Sequence, residues 1–144
     1  MSIVTGVRRL AVAGCGSVLL ASGFLAVTAG SAQAATPICS KTVTKWYQDF
    51  SGPVAAASNG SLNCQLGPGN SSSAVKALQN SLIRCSTASP GPVDGIYGQG
   101  TKAAVAKVQR ANHVSPADGL YGPKTRKVFN WIVTGPRGAA CSTF

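Results

Sequence analysis

The sequence has 144 residues and a formal net charge of +10 at pH 7, with 13 Lys and Arg against three acidic side chains and one His. Glycoside hydrolysis generally requires two carboxylates beside the scissile bond, and a zinc hydrolase requires several His or acidic ligands. A chain this poor in Asp, Glu and His is therefore expected to have no catalytic site, no metal site and no cofactor.

Residues 1–34 are predicted to be a signal peptide. Arg8 and Arg9 form a positively charged start, an uncharged stretch follows over 10–30, and Ala32-Gln33-Ala34 is a small-residue cleavage motif. The uncharged stretch is long enough to span a membrane, but it ends at the cleavage motif without a basic stop. Cleavage is favoured, so the mature chain is expected to begin at Ala35, to be secreted and to have no stable membrane insertion.

Four cysteines follow the signal peptide, and Cys15 is lost with it. An even number of cysteines in an exported chain predicts two disulfides, which can be paired in three ways. The favoured pairing joins Cys64 to Cys85 along the first predicted helix and Cys39 to Cys141 across the two ends of the chain. The other two pairings remain open.

Residues 35–63 are predicted to be an N-terminal extension that ends in a loop. Trp46, Tyr47 and Phe50 lie close together, and the residues from 51 to 63 are mostly small or polar. The favoured interpretation is that the three aromatic rings cover the core beside Cys39. The alternative is that they form a stacking platform for sugar rings.

The first helix is predicted to begin at a serine among residues 71–73 and to end near Cys85. A serine side chain can cap the first turn, and Val75, Leu78 and Leu82 then form one apolar face. A second helix is predicted over 101–112.

A turn segment occurs twice, over 92–105 and again over 116–129, and each copy is followed by helical periodicity. Asp-Gly favours a tight turn, because Asp accepts local N–H bonds and Gly tolerates a positive φ. These residues are assigned structural roles in the turns: Asp94, Gly95, Gly98, Asp118, Gly119 and Gly122. A repeat this short cannot bury its own apolar face, so the two copies are expected to pack together.

A third helix is predicted over 123–133, stopped by Gly135 and Pro136. The expected fold is therefore all-α, a compact three-helix module with Asp-Gly turns and disulfide staples. This domain is expected to span 64–134, followed by a tail over 135–144 that carries Cys141.

The motifs Val93-Asp94-Gly95-Ile96-Tyr97-Gly98 and Asp118-Gly119-x-x-Gly122-Pro123, together with the Leu78-Gln79 helix before them, resemble the peptidoglycan-binding domain type 1 family. The resemblance covers about 66–133. It implies a compact three-helix module that binds bacterial cell-wall peptidoglycan and is commonly attached to wall-degrading enzymes. The sequence predicts no such catalytic domain attached to the module.

Five residues near the two turns are candidates for ligand contact: Tyr97, Tyr121, Arg110, Asn112 and Arg126. Tyr offers a flat face and a hydroxyl, and Arg forms two-pronged bonds to carboxylates. The alternative is that both Tyr rings pack into the core. Gln79 and Gln109 are expected to hold the turns through their amides rather than to contact a ligand.

The basic side chains on the predicted helices have two interpretations. They form either a solvated face that aids solubility or a surface that attracts anionic wall polymers. Nucleic acid is not an expected partner of an exported protein. The function predicted is a secreted, cell-wall-associated, non-catalytic peptidoglycan-binding protein that acts as a monomer. The alternatives are an accessory partner of a wall hydrolase and a small secreted wall hydrolase.

Overall fold

The computed structural model describes residues 34–144, which form a single unit. The predicted signal peptide lies outside the described residues, apart from its last residue, Ala34. No helix within residues 34–144 has the length and apolar character needed to cross a membrane.

Two of the predicted helices are present. Helix α1 spans Ser73–Cys85 and helix α2 spans Gln99–Ala111. The hydroxyl of Ser72 accepts a bond from the Val75 amide at 3.3 Å, so the helix begins at the predicted serine cap. Val75, Leu78 and Leu82 are fully buried, as the apolar pattern predicted.

The third predicted helix is much shorter than expected. Helix α3 covers only Pro123–Arg126, and the chain then continues as a strand, β3, over Trp131–Gly135. Trp, Ile, Val and Thr are residues whose branched or aromatic side chains favour a strand. The prediction of a helix over 123–133 is therefore wrong, and with it the three-helix fold.

The all-α prediction is wrong because the two ends of the described chain form a sheet. Strands β1 (Lys41–Tyr47) and β2 (Phe50–Ala56) form a hairpin, and β4 (Gly138–Ser142) pairs with β3. The four strands are antiparallel in the order β1-β2-β3-β4. The predicted extension, loop and tail therefore supply three of the four strands.

The two hairpins of this sheet meet along an irregular seam between β2 and β3. Only Ser51 and Thr134 are paired there. Pro53 has no amide proton to donate, and a Cβ at Gly52 would lie 2.2 Å from the Ile132 carbonyl oxygen. Gly52 therefore permits a close approach of β3 that any larger residue would prevent.

The core lies between α1, the sheet and the two turns. The hydroxyl of Ser81 on α1 accepts the Ile132 amide at 3.2 Å, which fixes the helix against β3. Tyr121, Phe129 and Trp131 form an edge-to-face cluster with ring centroids 4.9–5.7 Å apart. This cluster closes the core beside the second turn.

All four cysteines that follow the signal peptide form disulfides, but the favoured pairing is wrong. Cys39 is bonded to Cys64, and Cys85 is bonded to Cys141. The first bond joins the start of the hairpin to the segment before α1. The second joins the end of α1 to β4, because the sheet brings β4 against that helix.

Candidate functional site

The first Asp-Gly turn is held by Gln79 from helix α1. The Gln79 amide nitrogen donates to Asp94 Oδ1 and to the Ile96 carbonyl, both at 3.0 Å, and its oxygen accepts the Gly95 amide at 2.8 Å. Asp94 Oδ1 also accepts the Ile96 amide at 2.9 Å. The bond from the Ile96 amide has the largest effect on Asp94, and together with the Gln79 bond it holds the pKa of this carboxyl below its ordinary value.

The second turn repeats this arrangement with Gln109 from helix α2. The Gln109 amide nitrogen donates to Asp118 Oδ1 at 3.1 Å and to the Leu120 carbonyl at 2.9 Å, and its oxygen accepts the Gly119 amide at 2.8 Å. Both glutamine side chains are buried. The prediction that they hold the turns is confirmed. Gly98 and Gly122 then cap the helices that follow.

The two turns are joined through the hydroxyl of Tyr97, which donates to the Gly119 carbonyl at 2.7 Å. Its counterpart Tyr121 has no hydrogen-bond partner for its hydroxyl within residues 34–144. Both rings are buried, and burial raises the pKa of each hydroxyl well above its usual range, so both stay protonated. Both rings therefore pack into the core, which was the alternative interpretation of these two residues.

This difference makes a matched pair of variants. Tyr97→Phe removes the hydroxyl donor and leaves the buried Gly119 carbonyl without that hydrogen bond, so we expect a loss of about 1–2 kcal/mol in the free energy of unfolding. Tyr121→Phe removes a hydroxyl that has no partner, so we expect a change within about 0.5 kcal/mol. Urea denaturation of both variants checks this, and equal losses would contradict it.

The segment before helix α1 runs alongside both turns and shapes a groove at the second one. The Leu66 amide donates to the Tyr121 carbonyl at 2.7 Å, and the Tyr121 amide donates back to Leu66 at 2.9 Å. The Tyr97 amide donates to the Asn70 carbonyl at 2.8 Å. The segment is thereby fixed as one wall of a depression whose other wall is the second turn.

Two adjoining cavities make up this depression, which we call the turn groove. A cavity of about 410 Å³ lies between the second turn, the start of α3 and Gln65. A second cavity, of about 240 Å³, lies between Ile38, Asn70 and Gln65. Gln65 and Leu120 line both cavities, so the groove is continuous past them.

The groove combines exposed apolar surface with a few polar groups. The Leu120 side chain is 42% exposed, and Ile38 is also exposed beside it. Asp118 and Lys124 lie in the larger cavity, with the Lys124 ammonium 3.3 Å from the Ser115 carbonyl. An apolar floor with separated acidic, basic and amide groups suits a short polar peptide better than a metal ion. Within residues 34–144, no three His, Cys, Asp or Glu side chains are grouped to hold a metal.

The structure does not bring the five predicted ligand residues together. Of these, Tyr121 alone lines the turn groove, with its ring in the core. Arg126 donates to the Phe144 carbonyl at 2.7 Å, and Asn112 donates to the Val108 carbonyl at 2.9 Å. Arg110 is exposed on α2 and lines neither cavity of the groove.

Sequence reasoning missed Gln65, Leu120 and Lys124. One signal for Leu120 was present in the repeat itself. The apolar position between Gly and Tyr lies beside a residue whose ring is buried, so its own side chain must point away from the core. The contribution of Gln65 depends on how the preceding segment pairs with Tyr121, which no local pattern indicates.

Comparison with known proteins agrees with this architecture. Residues 71–129 match the family model described as a putative peptidoglycan binding domain. The chain is 41% identical over 111 residues to an uncharacterized protein in the bpoA1 3' region of Kitasatospora aureofaciens, covering 74% of this chain and 78% of that one. It is 34% identical over 76 residues to the uncharacterized protein FadG of Bacillus subtilis, covering 53% of this chain but only 11% of that protein.

No solved structure matches the chain. The family match spans α1, both Asp-Gly turns, α2 and α3, which are the elements that the two glutamines hold together. The chain therefore belongs to the family of putative peptidoglycan-binding domains.

Proposed function

We propose that the protein is secreted, binds bacterial peptidoglycan without cleaving it, and receives the peptide part of that polymer in the turn groove. Membership of the family supports peptidoglycan as the polymer that the protein binds. The observation that carries the site is the turn groove itself, where the exposed Leu120 lies between Asp118, Lys124 and Gln65.

The polar groups of the groove suit a short peptide with free charges. The hydrogen bonds of the second turn use Asp118 Oδ1, so Oδ2 can face a ligand ammonium. The Lys124 ammonium can face a ligand carboxylate, and the Gln65 amide can bond to peptide groups. Leu120 and Ile38 then contact small apolar side chains of the wall peptide.

The charge of the chain supports association with the wall. Residues 35–144 carry eleven Lys and Arg against three Asp. This excess attracts anionic wall polymers over long distances and raises the local concentration of protein at the wall. The attraction weakens with salt, whereas contacts inside the groove depend on salt much less.

The test compares the same position in the two repeats. Leu120→Ser removes the apolar contact in the groove, and Ile96→Ser makes the equivalent change in the first turn, where Ile96 is 54% exposed and lines neither cavity. In a pull-down on insoluble peptidoglycan at moderate salt, we expect Leu120→Ser to weaken binding roughly tenfold and Ile96→Ser to have little effect.

Both side chains are exposed, so both variants should melt like the parent protein. Equal binding by the two variants would contradict the proposed site. Release of soluble wall fragments by the parent protein would contradict the non-catalytic role.

A further inference from the structure

One surface of the β1–β2 hairpin is not used by the turn groove, and it carries the most exposed aromatic residue of the fold. The Trp46 side chain is 71% exposed near the end of β1. The favoured interpretation from sequence, that Trp46 and Tyr47 cover the core, is wrong, because Tyr47 is also 50% exposed. A Trp ring left in water without a structural role in the core is available for contact with a ligand.

The residues around Trp46 form an open face of the sheet. Side chains at every second position of a strand share a face, so Trp46, Thr44 and Thr42 lie in line over about 13 Å. Pairing places Ser51 beside Trp46 and Pro53 beside Thr44. We call this surface, formed by Thr42, Thr44, Trp46, Ser51 and Pro53, the Trp46 face.

The Trp46 face leads into a cavity against helix α1. This cavity, of about 280 Å³, is lined by Thr42 and Pro53 from the sheet and by Ser73, Lys76 and Asn80 from the helix. Ser73, Lys76 and Asn80 are spaced three and four residues apart, so they line one side of α1. A path therefore runs from the flat Trp46 ring, past hydroxyl groups, to a cavity with an ammonium and an amide.

We propose that the Trp46 face binds an N-acetylated glycan strand. The face of a sugar ring is apolar enough to stack on a flat indole, and the Trp46 ring stands at the open end of the path. Thr44, Ser51 and Thr42 offer both donors and acceptors to sugar hydroxyls, and Lys76 and Asn80 offer donors to acetamido carbonyl oxygens. No residue that lines the cavity is acidic, so a neutral or negatively charged glycan meets no repulsion there.

This site adds to the proposed function and rests on it only for the source of the glycan. The turn groove and the Trp46 face have no lining residue in common. One ligand of mixed chemistry, a glycan with attached peptides, would thus be held at two places. Two linked contacts raise the overall affinity above that of either one alone.

Tryptophan fluorescence can test the proposal directly, because the chain has two Trp residues and they differ sharply in burial. Trp131 is fully buried in the core, so quenching by added acrylamide reports on Trp46. The probe is chitotetraose, a soluble oligomer of N-acetylglucosamine that carries no peptide. We expect chitotetraose to protect the parent protein from quenching, with a saturable dose dependence.

The variants separate the two faces of strand β1. Trp46→Ala should weaken chitotetraose binding, measured by calorimetry, roughly tenfold, and Trp46→Phe should restore part of it. Tyr47 is the neighbouring residue, and its side chain projects from the opposite face, where it pairs with Phe50. Tyr47→Ala is therefore the control, with an expected change of less than about twofold. Both changed positions are exposed, so melting temperatures should remain close to that of the parent.

Three outcomes would overturn the proposal. Unchanged binding by Trp46→Ala, equal loss in Trp46→Ala and Tyr47→Ala, or no binding of chitotetraose by the parent protein would each do so. Retention of the parent protein on whole peptidoglycan, with sensitivity to Leu120→Ser, would leave the proposed function standing in those cases. Binding of chitotetraose without binding to whole peptidoglycan would instead reject the proposed function and keep the glycan site.

Discussion

Gln109→Glu is expected to lower the free energy of unfolding by about 3 kcal/mol or more, although the side chain keeps its shape. The amide nitrogen of Gln109 faces three acceptors: Asp118 Oδ1, the Leu120 carbonyl and the Thr125 hydroxyl. An oxygen in its place can donate only if the new carboxyl is protonated, and otherwise it brings a second negative charge beside Asp118. Gln79→Glu should have a similar effect at the first turn.

Urea denaturation at neutral pH measures these losses. The control is Gln99→Glu, because Gln99 is exposed and begins helix α2. A negative charge added at the start of a helix leaves stability unchanged or raises it slightly. Destabilisation of Gln109→Glu should shrink as the pH is lowered, since the protonated carboxyl regains a donor. A loss no greater than that of Gln99→Glu would show that the buried amide does not hold the turn.

Gly119→Ala is expected to cost about 3 kcal/mol, and more than the same change in the first turn. Gly119 has φ +74°, and a Cβ built there would lie 2.5 Å from the Lys102 carbonyl oxygen. The positive φ alone costs roughly 1–2 kcal/mol for a non-glycine residue, and a clash with backbone cannot be relieved by turning a side chain. The second turn would have to move away from helix α2.

Two other glycines separate the backbone strain from the clash. Gly95 has φ +81° and a nearest contact of 3.2 Å, to the Ser72 carbonyl oxygen, so Gly95→Ala should cost less than Gly119→Ala. Gly69 has φ +88° and no atom within 4 Å of the added Cβ, so Gly69→Ala should show the conformational cost alone. Melting curves of the three variants should rank them in that order, and an equal cost at Gly119 and Gly69 would contradict the packing argument.

The part of the fold that could be predicted from sequence is the part that short-range chemistry determines. Asp-Gly turns, the serine cap of α1 and the apolar faces of α1 and α2 all depend on residues within one or two helical turns of each other. The roles of Gln79 and Gln109 were also predictable, because each follows a core residue on the helix that precedes a repeated turn. Family resemblance indicated peptidoglycan as the partner but did not indicate the sheet.

The sheet could not be predicted with the same ease because its pairing joins distant residues. The run from Trp131 to Gly135 has a strand composition, yet it follows helical signals without a break, so the pattern predicts that the helix continues into it. Strand β2, with Gly52 and Pro53, has the composition of a loop and is a strand only because β1 and β3 lie on either side. The disulfide pairing was missed for the same reason, since only the sheet brings Cys141 to the end of α1.

The sequence predicts the two turns but not which side chains near them reach solvent. Tyr and Arg are candidates because of their chemistry, and the repeat alone does not show whether their side chains are exposed. Tyr97 is required between the two turns, and Arg126 is held by the Phe144 carbonyl. Leu120, Lys124 and Gln65 also face solvent at the groove, and their side chains are less distinctive than those of Tyr and Arg.

The disulfide connectivity determines how the fold would respond to mechanical tension. With Cys39 bonded to Cys64 and Cys85 to Cys141, a force applied before Cys39 and after Cys141 travels through the peptide chain only between Cys64 and Cys85. That stretch contains α1 and can lengthen to roughly 70 Å when fully drawn out. Gln79 lies in it, so the first turn loses its amide as α1 unravels. Gln109 and the second turn both lie inside the bypassed loop, so the second turn keeps its own hydrogen bonds under load.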